Sequence, residues 1–133
     1  MVATTPEAKL GMDFYLVPPK TVVRANGDGI PIDVSASTNR LFVCVLEITD
    51  IIEQESLDIS IWSSADQTNW GAKPSLKFPQ RFYRGTTQMV LDLNERPEVK
   101  FIRARWEVNR WGRGSPVPMF EFSLLAREVL RPS

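Results

Sequence analysis

"KFIRARWEV", residues 100–108, alternates without a break. Ile102, Ala104, Trp106 and Val108 share one face, while Phe101, Arg103, Arg105 and Glu107 share the other. A period of two belongs to a β-strand, whose successive side chains point to opposite sides of a sheet. One face is fit for a core and the other for solvent. By phase, Trp106 belongs to the core.

The same pattern recurs on both sides of this stretch. In "MFEFSLLARE" (119–128), Phe120, Phe122, Leu124 and Ala126 face inward. In "SLDISIWSS" (56–64), Leu57, Ile59 and Ile61 oppose Asp58, Ser60 and Trp62, and "GTTQMVLDL" (85–93) sets Met89, Leu91 and Leu93 on a common face. "RLFVCVLEI" (40–48) is nearly all apolar and predicts a central strand covered on both faces. "LKFPQRFY" (76–83) is interrupted at Pro79, which marks an edge or a bulge.

Near the start, "FYLVPPKTVVRANGDGIPIDV" (14–34) reads as two short β-runs. They are punctuated by Pro18-Pro19 and by Asn26-Gly27-Asp28-Gly29, a turn whose glycines supply positive φ. Residues 1–10 are polar and unpatterned, and predict a flexible arm or an edge segment. "TDIIEQESL" (49–57) has room for one or two turns of helix at most. Many short strands at near-regular spacing predict an all-β, antiparallel β-sandwich of jelly-roll type, with about eight strands in one domain spanning 1–133.

The chain has 133 residues, 43% of them hydrophobic and 24% charged, the composition of a globular domain. No apolar run reaches the roughly 18–20 residues that span a bilayer. "MVATTPEAKLGMDF" lacks the basic and apolar regions of a signal peptide. The expected location is therefore the cytoplasm, or an assembled, virion-like particle.

Histidine is absent, which excludes histidine-based catalytic triads and histidine-ligated zinc. The one cysteine, Cys44, lies in an apolar run and is expected in the core. Net charge is zero but unevenly spread. Residues 1–66 hold 4 basic and 10 acidic residues, net −6, and residues 67–133 hold 12 basic and 6 acidic, net +6. Such a split suits complementary surfaces within one molecule or between copies, or else an anionic partner for the basic half.

Four constellations carry chemistry. The first is basic and aromatic: Arg103, Arg105, Arg110, Trp111 and Arg113, with Lys100 beside them. Arg103 and Arg105 point to the same face about 7 Å apart, and Trp111 can stack on a ring. Pairing with acids on neighbouring strands is the favoured reading of the arginines, ahead of a protein contact and of nucleic acid or glycan binding. Zero net charge makes nucleic acid the least expected partner.

The second is a set of oxygens for calcium, at Asn26, Asp28 and Asp33 or at Asp66 and Asn69. Neither set has the spacing of a calcium loop, and Asp66 is expected to cap its own turn. The third is a carboxylate pair for glycoside hydrolysis drawn from Asp58, Asp92, Glu107 and Glu121. Any β-sandwich of this composition offers such pairs, so no enzyme, metal or cofactor is expected. The fourth is aromatic: Trp62, Trp70 and Phe82-Tyr83 mark a contact surface wherever they are exposed.

The segment from Leu57 to Glu107 resembles the discoidin-like, or galactose-binding-like, jelly-roll sandwiches. "LDISIWSSADQTNW" is similar to their strand-turn signature, with Ser64, Asp66 and Trp70 at its Ser-x-Asp-x-x-x-Trp positions, and "VKFIRARWEV" to their following strand. Small phage-type structural proteins combine similar segments. The resemblance implies the sandwich fold. In members that bind sugars or lipids, it implies ligand loops at one end of the sandwich, although no fixed ligand motif matches here. Residues and resemblance together predict a non-catalytic structural or assembly module, self-associating or docked on a larger particle. The alternative is a carbohydrate-binding module using loop aromatics such as Trp70 and Trp111.

Overall fold

Each alternating stretch forms a strand. The computed structural model describes residues 11–52, 54–111 and 117–130. In chain order the strands are β1 (Asp13–Val23), β2 (Gly27–Asp28), β3 (Ile32–Asp33), β4 (Leu41–Ile51), β5 (Glu55–Ser64), β6 (Leu76–Lys77), β7 (Gly85–Asp92), β8 (Phe101–Arg110) and β9 (Phe120–Glu128). One sheet has the order β1-β9-β4-β7; the other has β2-β8-β5-β6, with β3 also on β8. Every pairing is antiparallel. The chain crosses repeatedly between the sheets, as a jelly-roll sandwich requires. No described residue is helical.

The inner faces follow the predicted phase. Phe42, Leu46, Leu91, Phe120, Phe122 and Leu124 from one sheet meet Leu57, Ile59, Ile61 and Ile102 from the other, all buried. Cys44 is buried among them, and loss of hydration pushes its thiol pKa up to about 12. Trp106 closes one side of the core. Its ring meets Phe122 edge-on at 5.8 Å, and its indole N–H donates to the Ala25 carbonyl at 3.1 Å, so the polar end of the ring is satisfied.

Three local expectations are corrected. The first run is one strand, not two: β1 continues through Pro18-Pro19, and register shifts on either side of Val17 absorb the prolines. An edge strand tolerates this, because a residue without an N–H loses no ladder bond on its open side. The central strand β4 is buried on one face only. Phe42, Cys44, Leu46 and Ile48 point inward, whereas Leu41, Val43 and Val45 are half-buried and Glu47 is exposed. Two layers supply no cover for the outer face.

The third correction concerns Asn26-Gly27-Asp28-Gly29. Neither glycine has positive φ; among described glycines only Gly71 and Gly85 do. Close approach constrains both instead, Gly29 the more strictly because its neighbour is backbone. A Cβ on Gly27 would sit 3.1 Å from the Trp106 ring, and one on Gly29 would sit 2.9 Å from the Leu16 carbonyl oxygen. Gly29→Ala is therefore expected to destabilise the fold by about 1–3 kcal/mol, since backbone cannot yield as a side chain can. Urea denaturation checks this, and an unchanged midpoint would refute the close-packing reading.

Two carboxylates occupy positions in phase with the core. Glu128 ends β9 beyond Ala126, and Glu55 begins β5 before Leu57; both are buried. Glu128 accepts the Met12 N–H (2.8 Å), the Ser37 hydroxyl (2.7 Å) and the Asn39 N–H (2.8 Å). Burial pushes its pKa up, but the hydrogen bonds from Met12, Asn39 and Ser37 outweigh it and leave the carboxyl below its ordinary value. Glu55 accepts the N–H groups of Ile52 and Met119 at 2.8 and 2.9 Å. Each glutamate pins chain segments that have no sheet partner of their own.

Candidate contact surface

The predicted contact residues separate into two groups. Arg103, Arg105, Trp62 and Trp70 lie on the outer face of the β8–β5 sheet. Cross-strand pairing sets Trp62 opposite Arg103 and Ser60 opposite Arg105. The guanidinium of Arg105 lies 4.4 Å from the centre of the Trp62 ring, and that of Arg103 lies 4.2 Å from the Trp70 ring. Asp28 on β2 joins the arginines from the other side, at 2.9 Å to Arg105 and 3.9 Å to Arg103. Trp62 directs its indole N–H to the Ser60 hydroxyl at 2.9 Å.

This face is therefore engaged with itself. The arginines that matched a phosphate spacing are stacked on rings and share one carboxylate, as the favoured reading expected, although Nε of Arg103 is buried without a hydrogen-bond partner among the described residues. Cation–π stacking of this kind contributes about 0.5–1 kcal/mol per pair at exposed positions. Trp62 and Trp70 are half-buried beneath it.

Arg110 turns away from this face. Its position falls in the inward phase of β8, directly opposite the buried Glu55. Its Nε and Nη1 are buried without a hydrogen-bond partner among the described residues. It belongs to the end of the core, not to an outer contact surface. Arg113 lies outside the described residues.

Trp111 is different. It is 58% exposed and is held by its backbone N–H, which donates to the Gln54 carbonyl at 3.1 Å. Its ring meets Phe82 edge-on at 6.1 Å, and Phe82 in turn contacts Tyr83 at 6.4 Å. Tyr83 is 75% exposed and Phe82 39%. With Ile51, Gln54, Glu55 and Arg84 these rings line an open cleft of about 630 Å³. Arg84 reaches Asp50 at 2.7 Å and holds that carboxyl below its usual range, helped by the Ile51 N–H.

The sequence marks the Phe82-Tyr83 pair as aromatic but gives no sign that it meets Trp111, because 28 positions separate Tyr83 from Trp111. That meeting comes from topology. The chain leaves the β6 side of one sheet at Arg81, which bridges to Leu57, and enters the other sheet at Gly85. Phe82, Tyr83 and Arg84 are the crossing, and it passes the end of β8 from which Trp111 emerges.

The oxygens considered for calcium are engaged by the protein. Asn26 accepts the Val108 N–H, Asp28 holds Arg105, and Asp33 accepts the Ser35 N–H and hydroxyl. Asp66 caps its turn as expected, accepting the N–H groups of Asn69 and Thr68 and the Ser64 hydroxyl. These bonds, that of Asn69 foremost, hold its pKa below the ordinary value. Of the candidate carboxylates, Asp58 and Glu107 are brought directly opposite one another on the outer face. Asp92 and Glu121 lie on the other sheet, on β7 and β9.

The two halves of the chain meet within the molecule. Each strand pairing joins a strand from residues 1–66 to one from residues 67–133, and so do the ion pairs of Asp50, Asp28 and Asp13 with Arg84, Arg103, Arg105 and Arg127. No family model matches this chain, and no curated protein matches it.

Proposed function

We propose that this jelly-roll sandwich is a non-catalytic structural module that works through protein–protein contacts, self-associating or docked on a larger particle. The observation that carries the reading is the exposed rim of Phe82, Tyr83 and Trp111 beside Arg84. Aromatic rings and arginine are the residue types that dominate interface energetics when a partner desolvates them. The resemblance of "LDISIWSSADQTNW" and "VKFIRARWEV" to discoidin-like sandwiches supports the same view, since such folds commonly present their contact residues at one end.

Light scattering after size-exclusion chromatography tests the proposal. The expected result is concentration-dependent association that Trp111→Ala or Tyr83→Ala weakens. Loss of an interface anchor costs about 2 kcal/mol or more, roughly thirtyfold in Kd. A strictly monomeric wild-type protein at every concentration would overturn self-association.

A second reading is favoured by the same cleft. An open, ring-lined depression beside Gln54 and Arg84 suits a sugar ring stacked on Trp111, as in a carbohydrate-binding module. A glycan array with Trp111→Ala as control separates the two. Binding abolished by the substitution favours the module; no binding, or binding unchanged by it, removes that reading.

A further inference from the structure

Asn26 is the one asparagine of the chain that a glycine follows; Asn39, Asn69, Asn94 and Asn109 precede arginine, tryptophan, glutamate and arginine. Asparagine before glycine is the pair most open to deamidation, because no side chain hinders attack of the next backbone nitrogen on the asparagine carboxamide. Asn26 is exposed, so water reaches it. It leads into β2, which has only two residues and closes the edge of its sheet.

The folded state occupies both reacting groups. Asn26 uses its side-chain oxygen as a substitute ladder acceptor, taking the Val108 N–H at 2.8 Å, while the Ala25 carbonyl takes the Trp106 indole N–H. Gly29 donates its N–H to the Ala104 carbonyl at 2.8 Å, and hydrogen-bonded pairs recur at every second residue of an antiparallel ladder. The Gly27 nitrogen is therefore engaged with Trp106 as long as β2 is docked. The hold is slight: two ladder pairs, the Asn26 bond and the partly exposed ion pairs of Asp28. Short peripheral segments of this kind open locally far more often than the whole molecule unfolds.

We propose that Asn26 is a deamidation site, and that its conversion is a one-way switch that loosens β2 from β8. When β2 opens, the Gly27 nitrogen gives its proton to solvent base and attacks the side-chain carbonyl carbon of Asn26. Ammonia leaves and a succinimide ring closes. Water opens that ring at either carbonyl, giving aspartate or isoaspartate at position 26. The sequence consumes one water, releases one ammonia and changes no oxidation state.

Both products place a new negative charge where the surface is already acidic. The register of Gly27 opposite Trp106 continues to set position 26 opposite Glu107, and Glu107 itself stands opposite Asp58 on β5. Asn26, Asp28 and Glu107 line one shallow depression, in which Arg105 is already engaged by Asp28. Like charges directly opposite one another destabilise a strand pair. Isoaspartate also lengthens the main chain by a methylene, which moves Asp28 off its register with Arg105. Either way β2 is loosened, and with it the cover that Gly27 gives the Trp106 ring. This inference is independent of the contact reading above.

The site is tested by incubating the full chain at mildly alkaline pH, with and without denaturing urea, and mapping its peptides by mass spectrometry. Conversion is expected at Asn26 ahead of Asn39, Asn69, Asn94 and Asn109, at least about tenfold slower in the folded than in the unfolded chain. Conversion in the unfolded chain with none in the folded one would overturn the site, and equal rates in both would overturn gating by β2.

Asn26→Asp tests the switch apart from the chemistry, since its carboxylate keeps an acceptor for Val108 and adds only charge. Amide hydrogen exchange at Gly27 and Gly29 is expected to quicken by about threefold or more at low salt. High salt, which screens exposed charges, should return it towards the wild-type rate. Exchange unchanged by the substitution would overturn the switch, and an increase that salt leaves in place would overturn its electrostatic cause.

Discussion

Glu128→Ala is expected to lower the stability of the protein by about 3 kcal/mol, measured as the free energy of unfolding in urea near neutral pH. The carboxylate accepts from Met12, Ser37 and Asn39 at 2.7–2.8 Å, and alanine leaves those donors without their acceptor in a site that water barely reaches. Each stranded donor costs about 1–3 kcal/mol, the lower end applying where solvent approaches. Glu128→Gln keeps one acceptor oxygen but turns an NH₂ group towards donors, so an intermediate loss is expected.

The pH dependence carries the same signature. The folded state holds the Glu128 carboxyl below its ordinary pKa, so its contribution is complete above the ordinary carboxylate range. It is lost as the pH falls through the lower, folded value. The gap between wild type and Glu128→Ala should close as acid is added. A gap that stays constant below the carboxylate range would refute the ionised clamp.

Phe122→Ala is expected to cost about 3–5 kcal/mol, the usual range for removing a fully buried phenyl ring. Phe122 lies on β9, which pairs with β1 on one side and β4 on the other, and its ring is the one against which Trp106 stands edge-on. The cavity would therefore open at the seam between the two sheets. Phe122→Leu, which refills most of that space, should recover more than half of the loss. Trp106 supplies an independent readout, since loss of its ring neighbour should shift its fluorescence without unfolding the protein. A stability loss below about 1 kcal/mol for Phe122→Ala would contradict the placement of this ring in the core.

The alternating strands were legible because burial and strand geometry agree. Leu57, Ile59 and Ile61, and likewise Phe120, Phe122 and Leu124, announce a face by period alone. The buried carboxylates were legible in principle by the same rule. Glu55 stands two positions before Leu57, and Glu128 two after Ala126, so both continue an apolar phase with an acid. Composition argues against burying a carboxylate, and only the approach of Met12, Asn39 and Met119 from distant parts of the chain makes it tolerable.

Other features were not legible. Gly27 and Gly29 look like turn glycines, since nothing local reveals that the Trp106 ring and the Leu16 carbonyl pass over them. Arg110 reads as one member of a basic cluster, yet its phase places it opposite Glu55 at the end of the core. The exposed rim needed three dimensions altogether, because Phe82 and Trp111 meet only through the crossing between sheets.

That every strand pairing joins the first half of the chain to the second also governs how the molecule comes into being. Up to residue 66 a growing chain holds, among the described residues, β1 to β5 and no pair of strands that bond to each other. It carries a net charge of −6, which keeps it extended and apart from its own kind. The one pairing of sequence neighbours among the described residues, β5 with β6, is only two residue pairs long, and the other loops that must close are longer, so this topology belongs to the slow-folding class. The second half arrives with a net charge of +6, and attraction between the halves draws together segments that local structure cannot. The opposite charges of the two halves are thus a folding device as well as a surface property, a long-range guide for a chain whose short-range pairing is slight.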